Sequence, residues 1–198
     1  VVAFYPDGAW WTPCIMEMGE GLLRIADSLG IDESFCPVRA MLGAFMNREH
    51  FPIPDLLLCS AGATCDDFSA IAQRLDGLGF PVTWWEIPAR RPPPRGETPV
   101  RLPGGFVTSR AQVAAVEREL RRVKRALEET AGRPITAAML RRGIEAANRV
   151  RAVLAELRRL VFTAGRAPLP ALEMLIADML AIHFCSDREE SLAVLSGL

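Results

Sequence analysis

The sequence predicts an α/β fold: a Rossmann-like parallel sheet of about four strands with helices on both faces, followed by a helical segment. Three observations predict it. From Val1 to Ile87, apolar runs of strand length alternate with helical stripes, and strands joined through helices run parallel. One such unit is complete between Pro54 and Pro88: a strand from Leu56 to Cys59, a small-residue turn from Ser60 to Ala63, a helix opening at Thr64-Cys65-Asp66-Asp67, and a strand from Val82 to Ile87. Past Pro88 a proline-, arginine- and glycine-rich break gives way to helical periodicity alone. The chain is thus divided into an α/β domain over 1–88, an irregular connection over 89–108 and a helical segment over 109–198.

Taken in order, Val1 to Tyr5 is a short apolar run halted at Pro6-Asp7-Gly8, a strand and its breaker. Thr12-Pro13 suits an N-cap followed by proline at the first helical position, with Ile15, Met18, Leu22, Ile25 and Leu29 as the stripe and Gly30 as its stop. Phe35-Cys36-Pro37 repeats the arrangement before a helix from Val38 to Met46. In the third case Thr64 and Asp67 form a capping pattern that puts Cys65 in a first turn, where unpaired N–H groups favour negative charge. Cys14, Cys36 and Cys65 therefore precede or begin three helices, and in a parallel sheet those helix starts share one edge, where such folds bind ligands. Cys65 is the leading candidate for thiolate chemistry.

In the helical segment Ser109 and Gln112 form a capping box, and Val113, Val116, Leu120, Val123 and Leu127 mark a helix that Gly132 and Pro134 stop. Thr136 opens another, with Leu140, Ile144, Ala147, Leu154, Leu157 and Val161 near one face, and Gly165 to Pro170 separates it from a third over Ala171 to Phe184. Arginines such as Arg118, Arg121, Arg122, Arg149 and Arg159 alternate with glutamates, which reads as a salt-laced solvated face rather than an anion site.

With 198 residues, 50% of them hydrophobic, the chain can bury a substantial core. Its 23 basic and 24 acidic residues nearly cancel, so charge predicts neither a nucleic-acid nor a membrane partner. No apolar run reaches the roughly 18 residues that a membrane-spanning helix needs, and a cytoplasmic location is the expectation. Five widely spaced cysteines, an odd number, do not form a secreted disulfide framework. The opening on a strand-like run without Met suggests a piece of a longer protein.

The remaining candidates have ordinary explanations. Cys59 at a strand end reads as a small buried hydrophobe, and Cys185 beside His183 as packing rather than a metal pair. His50 lies in a loop without a triad around it. Trp10-Trp11 could line a pocket, whereas Trp84-Trp85 in a strand must point to opposite faces. Asp66 and Asp67 read as helix-start acids. Neither GxGxxG nor GxxxxGK[ST] occurs, so no nucleotide site is supported.

FCPVRAMLGAF and PDLLLCSAGATCDDFSAI, followed by a strand ending at Pro88, resemble the benzoyl-CoA reductase and 2-hydroxyacyl-CoA dehydratase D-component family. The later LEETAGRPITAAMLRRGIEAANRVRAVLAELRRL is similar to that family's helical segment, with Asn148 and Arg149 in the matching helix. The resemblance implies the N-terminal half of a subunit of an oxygen-sensitive heterodimer, paired with a homologous second subunit and served by an ATP-dependent activator. It implies a [4Fe-4S] cluster held by three cysteines. Cys36 and Cys65 match two of them, the third being expected in a second α/β domain downstream. Cys14 matches no regular ligand and is a candidate only to lie near the cluster. Two such sulfurs on one cube would sit roughly 6 to 7 Å apart.

The implied activity is transfer of a low-potential electron to the thioester carbonyl of an acyl-CoA substrate, most readily in 2-hydroxyacyl-CoA dehydration (a lyase). Benzoyl-CoA ring reduction (an oxidoreductase) is the alternative, and a non-catalytic electron-relay or scaffold subunit is another. Catalytic and substrate-binding residues stay unassigned. The chain in isolation is expected to be inactive and, with its docking faces uncovered, to self-associate.

Overall fold

The computed structural model describes residues 2–6, 19–50, 52–61, 65–181 and 187–198. They form two units: residues 21–134, and residues 1–20 together with 135–198.

In the first unit, helix α1 (Glu20–Ser28) buries Leu22 and Ala26. It closes as expected at Gly30, whose φ of 84° is left-handed and lets the Ile31 N–H reach the Ala26 carbonyl at 3.1 Å. A 3-10 turn (Pro37–Arg39) leads into α2 (Ala40–Asn47), where the apolar pattern is continuous and Ala40 to Phe45 are all buried. Such a helix belongs at the centre of its unit. Gly43 makes this possible, because a Cβ there would lie 2.2 Å from the Leu22 carbonyl oxygen of α1. The buried Arg39 ties the same pair of segments together: its Nε is 3.1 Å from the Asp27 carboxylate, and its Nη1 donates to the Phe35 carbonyl at 3.3 Å.

Strand β1 (Leu57–Ala61), helix α3 (Asp66–Gly77) and strand β2 (Val82–Glu86) form the crossover unit legible in the sequence. The strands pair in parallel, Leu57 opposite Val82 and Cys59 opposite Trp84, as a strand–helix–strand connection requires. Ile71, Ala72 and Leu75 of α3 are buried, and Phe80 meets Phe45 of α2 edge to face at 5.4 Å.

The sheet is smaller than expected. Among the described residues the parallel sheet has two strands, not about four. Residues 2–5 form no strand, and Val2 is 81% exposed: four or five apolar residues before a proline do not by themselves distinguish a strand from an extended end. Within the proline-rich segment, β3 (Pro99–Arg101) and β4 (Val107–Ser109) pair antiparallel instead, around a 3-10 turn at Pro103–Gly105. Three-residue strands are too short to show a period of two.

Helix α4 (Arg110–Ala131) starts where predicted, with Ser109 Oγ accepting from the Gln112 N–H at 3.2 Å, and ends at Gly132 with φ 62°. Gln112 does not complete a reciprocal capping box. Its Nε2 donates to the Ala89 carbonyl at 2.9 Å and its Oε1 accepts from the Thr108 hydroxyl, so it pins the proline-rich segment. Arg121–Glu117, Arg122–Glu119 and Lys124–Glu128 pairs line the helix, in keeping with a solvated face. Glu119 also accepts from the Glu86 N–H at 3.0 Å, which covers backbone at the end of β2.

In the second unit α5 (Ala137–Thr163) is capped by Thr136 and followed by α6 (Ala171–Met179) and α7 (Arg188–Gly197). Val150, Leu154, Leu157 and Val161 pack with Met174, Ala177 and Leu195. Leu140 and Ile144, expected on the same stripe, are 46% and 59% exposed. The expected helix to Phe184 runs partly outside the described residues. Helix α7 has no counterpart among the elements the sequence predicts; Asp187 caps it, accepting from the N–H groups of Glu189 and Glu190 at 2.9 and 3.2 Å. No described helix is long and apolar enough to cross a membrane.

Candidate functional site

Cys36 and Cys65 occupy equivalent local positions. Both are N-caps, Cys36 of the 3-10 turn (φ −54°, ψ 145°) and Cys65 of α3 (φ −70°, ψ 155°). The extended backbone at Cys36 is the conformation that the adjoining Pro37 imposes. Its carbonyl accepts from the Arg39 N–H at 3.0 Å, and the Cys65 carbonyl accepts from the Ser69 N–H at 3.4 Å. Neither sulfur makes a capping hydrogen bond. Both are free, exposed thiols.

Cys65 is thus one position earlier than the sequence pattern places it, at the cap instead of in the first turn. Thr64, the expected cap, lies outside the described residues, as do Cys14, Cys185, His183 and Trp10-Trp11. The edge predicted for three cysteines can be described for Cys36 and Cys65.

The segments that carry these two are joined by Asp67. Its Oδ2 accepts from the backbone N–H of Cys36 at 3.2 Å, across 31 residues of sequence. The carboxylate two residues beyond Cys65 therefore holds the segment carrying Cys36 against the start of α3. By its sequence pattern Asp67 is an ordinary helix-start acid. The one signal of its role is that a first-turn acid faces the same edge as the other helix starts.

Cys59 is different in kind. It is half-buried in β1, and burial, with a smaller push from the Asp76 carboxylate, raises its thiol to about 11. Its proton is held at neutral pH, which suits a packing residue. At pH 8 only about a thousandth of Cys59 is thiolate with the thiol at about 11. Iodoacetamide is therefore expected to label Cys36 and Cys65 well before Cys59. Labelling of Cys59 should rise about tenfold per pH unit until near 11; peptide mass spectrometry that found Cys59 labelled as fast as Cys36 at pH 8 would contradict its burial.

His50 Nε2 sits 3.4 Å from Asn47 Nδ2, in the turn after α2. Among the described residues no group of three or more His, Cys, Asp or Glu side chains is gathered to hold a metal. Cys36 and Cys65 supply two thiols, a donor type that iron–sulfur clusters take, and a complete set needs further ligands.

The family model described as 2-hydroxyglutaryl-CoA dehydratase, D-component matches residues 7–198. No curated protein matches the chain.

Proposed function

The chain belongs to the 2-hydroxyglutaryl-CoA dehydratase, D-component family, and we propose that it is the iron–sulfur subunit of a 2-hydroxyacyl-CoA dehydratase, with Cys36 and Cys65 as two of the ligands of a [4Fe-4S] cluster. The family is that of an enzyme component, which implies partner components. One observation supports the ligand assignment most: Asp67 joins the Cys36 segment to the helix that Cys65 caps, so two free thiols with no capping duty lie on segments bonded directly to each other.

When bound, the cluster would supply a low-potential electron to the thioester carbonyl of the acyl-CoA. This chain's own residues do the holding. Cap positions leave both sulfurs free, and the crossover β1–α3–β2 fixes the start of α3 on a buried face of Ile71, Ala72 and Leu75. Completing the cluster falls to a third cysteine in a downstream domain. A homologous second subunit and an ATP-dependent activator complete the working enzyme in this reading, in a reducing, cytoplasmic setting.

The test is preparation of the full-length protein with its partner component in the absence of oxygen. Iron and acid-labile sulfide are expected in equal amounts, with activator-dependent dehydration of a 2-hydroxyacyl-CoA and no reduction of benzoyl-CoA. An iron-free preparation would sink the cluster assignment; turnover of benzoyl-CoA alone would move the enzyme to ring reduction.

A further inference from the structure

We infer that Asp67 is the positioning residue of this site: its carboxylate sets the separation of Cys36 and Cys65 before any metal arrives. The inference rests on the reading of the two cysteines as ligands, but it concerns the protein alone. An acid in the first turn of a helix ordinarily accepts from the N–H groups of its own helix. The start of α3 has such groups to offer, since its N-cap Cys65 makes no side-chain cap. Asp67 nevertheless directs Oδ2 to the Cys36 N–H at 3.2 Å.

The same peptide group is gripped at its carbonyl end as well. Arg39, buried and paired with Asp27, donates to the carbonyl of Phe35 at 3.3 Å. The single peptide group that joins Phe35 to Cys36 is thus held at its carbonyl by a cation and at its N–H by a carboxylate, and Pro37 fixes the direction in which the chain continues. Arg39 anchors this segment to α1, whereas Asp67 alone among these contacts anchors it to the helix of Cys65. Asp66, its neighbour in the same first turn, is exposed and supplies a matched comparison: its removal costs the helix a like amount of favourable charge while leaving the Cys36 N–H engaged.

The experiment uses the full-length protein, first freed of metal and treated with a short bis-maleimide, with the Cys36–Cys65 bridge quantified by peptide mass spectrometry, and then iron-loaded without oxygen. Asp67→Ala is expected to lower the yield of that bridge at least threefold and to speed loss of iron on dilution. Asp67→Asn, which keeps an acceptor oxygen, should restore most of both, and Asp66→Ala should match the parent. Equal bridging in Asp67→Ala and the parent, no rescue by Asp67→Asn, or an equal loss in Asp66→Ala would each overturn the inference. Bridging that depends on Asp67 in a protein that takes up no iron would uphold the positioning role and sink the cluster reading by itself.

Discussion

Cys36→Ala or Cys65→Ala, each made in the full-length protein without oxygen, is expected to abolish the iron–sulfur absorbance and the CoA-ester turnover together. Each substitution removes a thiolate donor, and at these positions it removes little else. Both cysteines are exposed and neither caps its helix through sulfur, so alanine leaves the backbone bonds of the caps in place. A fall in stability of more than about 1 kcal/mol is not expected for either. Cys59→Ala provides the contrast. It removes a half-buried, protonated thiol from β1, costs packing of about 1 kcal/mol, and should leave the iron content nearly unchanged. Equal loss of iron in all three would indicate general unfolding, and full iron in both Cys36→Ala and Cys65→Ala would remove the ligand assignment.

The parts of this site that are legible in the sequence are those determined locally. Cys36 before Pro37, and Cys65 before two acids and an apolar stripe, announce helix starts through backbone rules that act over a few residues. The strands Leu57–Ala61 and Val82–Glu86 fall within two residues of their predicted bounds because turn-forming or proline-containing stretches flank them. The features that escape the sequence are set by partners distant along the chain. The bond from the Cys36 N–H to Asp67 spans 31 residues, and nothing in the local pattern distinguishes it from a cap. Leu140 and Ile144 lie on a correctly identified helix, yet a helical stripe says which face is apolar and not whether anything covers it. The hairpin of β3 and β4 is hidden for a further reason: its residues are those of a loop, and it is fixed by long-range bonds, among them Gln112 to the Ala89 carbonyl and Thr108 to the Arg91 carbonyl.

Gly43→Ala and Gly143→Ala, the same change in two helix interiors, are expected to shift stability in opposite directions. Each gains intrinsic helix propensity, about 1 kcal/mol for alanine over glycine. At Gly143 in α5 nothing lies within 4 Å of the added Cβ, so that gain should appear as slower hydrogen exchange of the surrounding amides. At Gly43 the Cβ would meet the Leu22 carbonyl oxygen at 2.2 Å and the Leu22 Cα at 2.7 Å. Both are backbone atoms, so no rotamer change relieves the contact and α1 must move away from α2. Overpacking of this kind costs roughly 1–3 kcal/mol, occasionally more, and separation of the helices also loosens the Arg39–Asp27 pair that spans them. A net loss of about 2 kcal/mol is therefore expected, read as faster amide exchange throughout α1 and α2. Because α2 comes directly after Cys36 and the Pro37 turn, the displacement should also reach the ligand segment and reduce iron retention, an effect that Gly143→Ala should lack. If Gly43→Ala slowed exchange as Gly143→Ala does, the close approach of α1 to α2 would be wrong, and with it the support that holds the Cys36 segment in place.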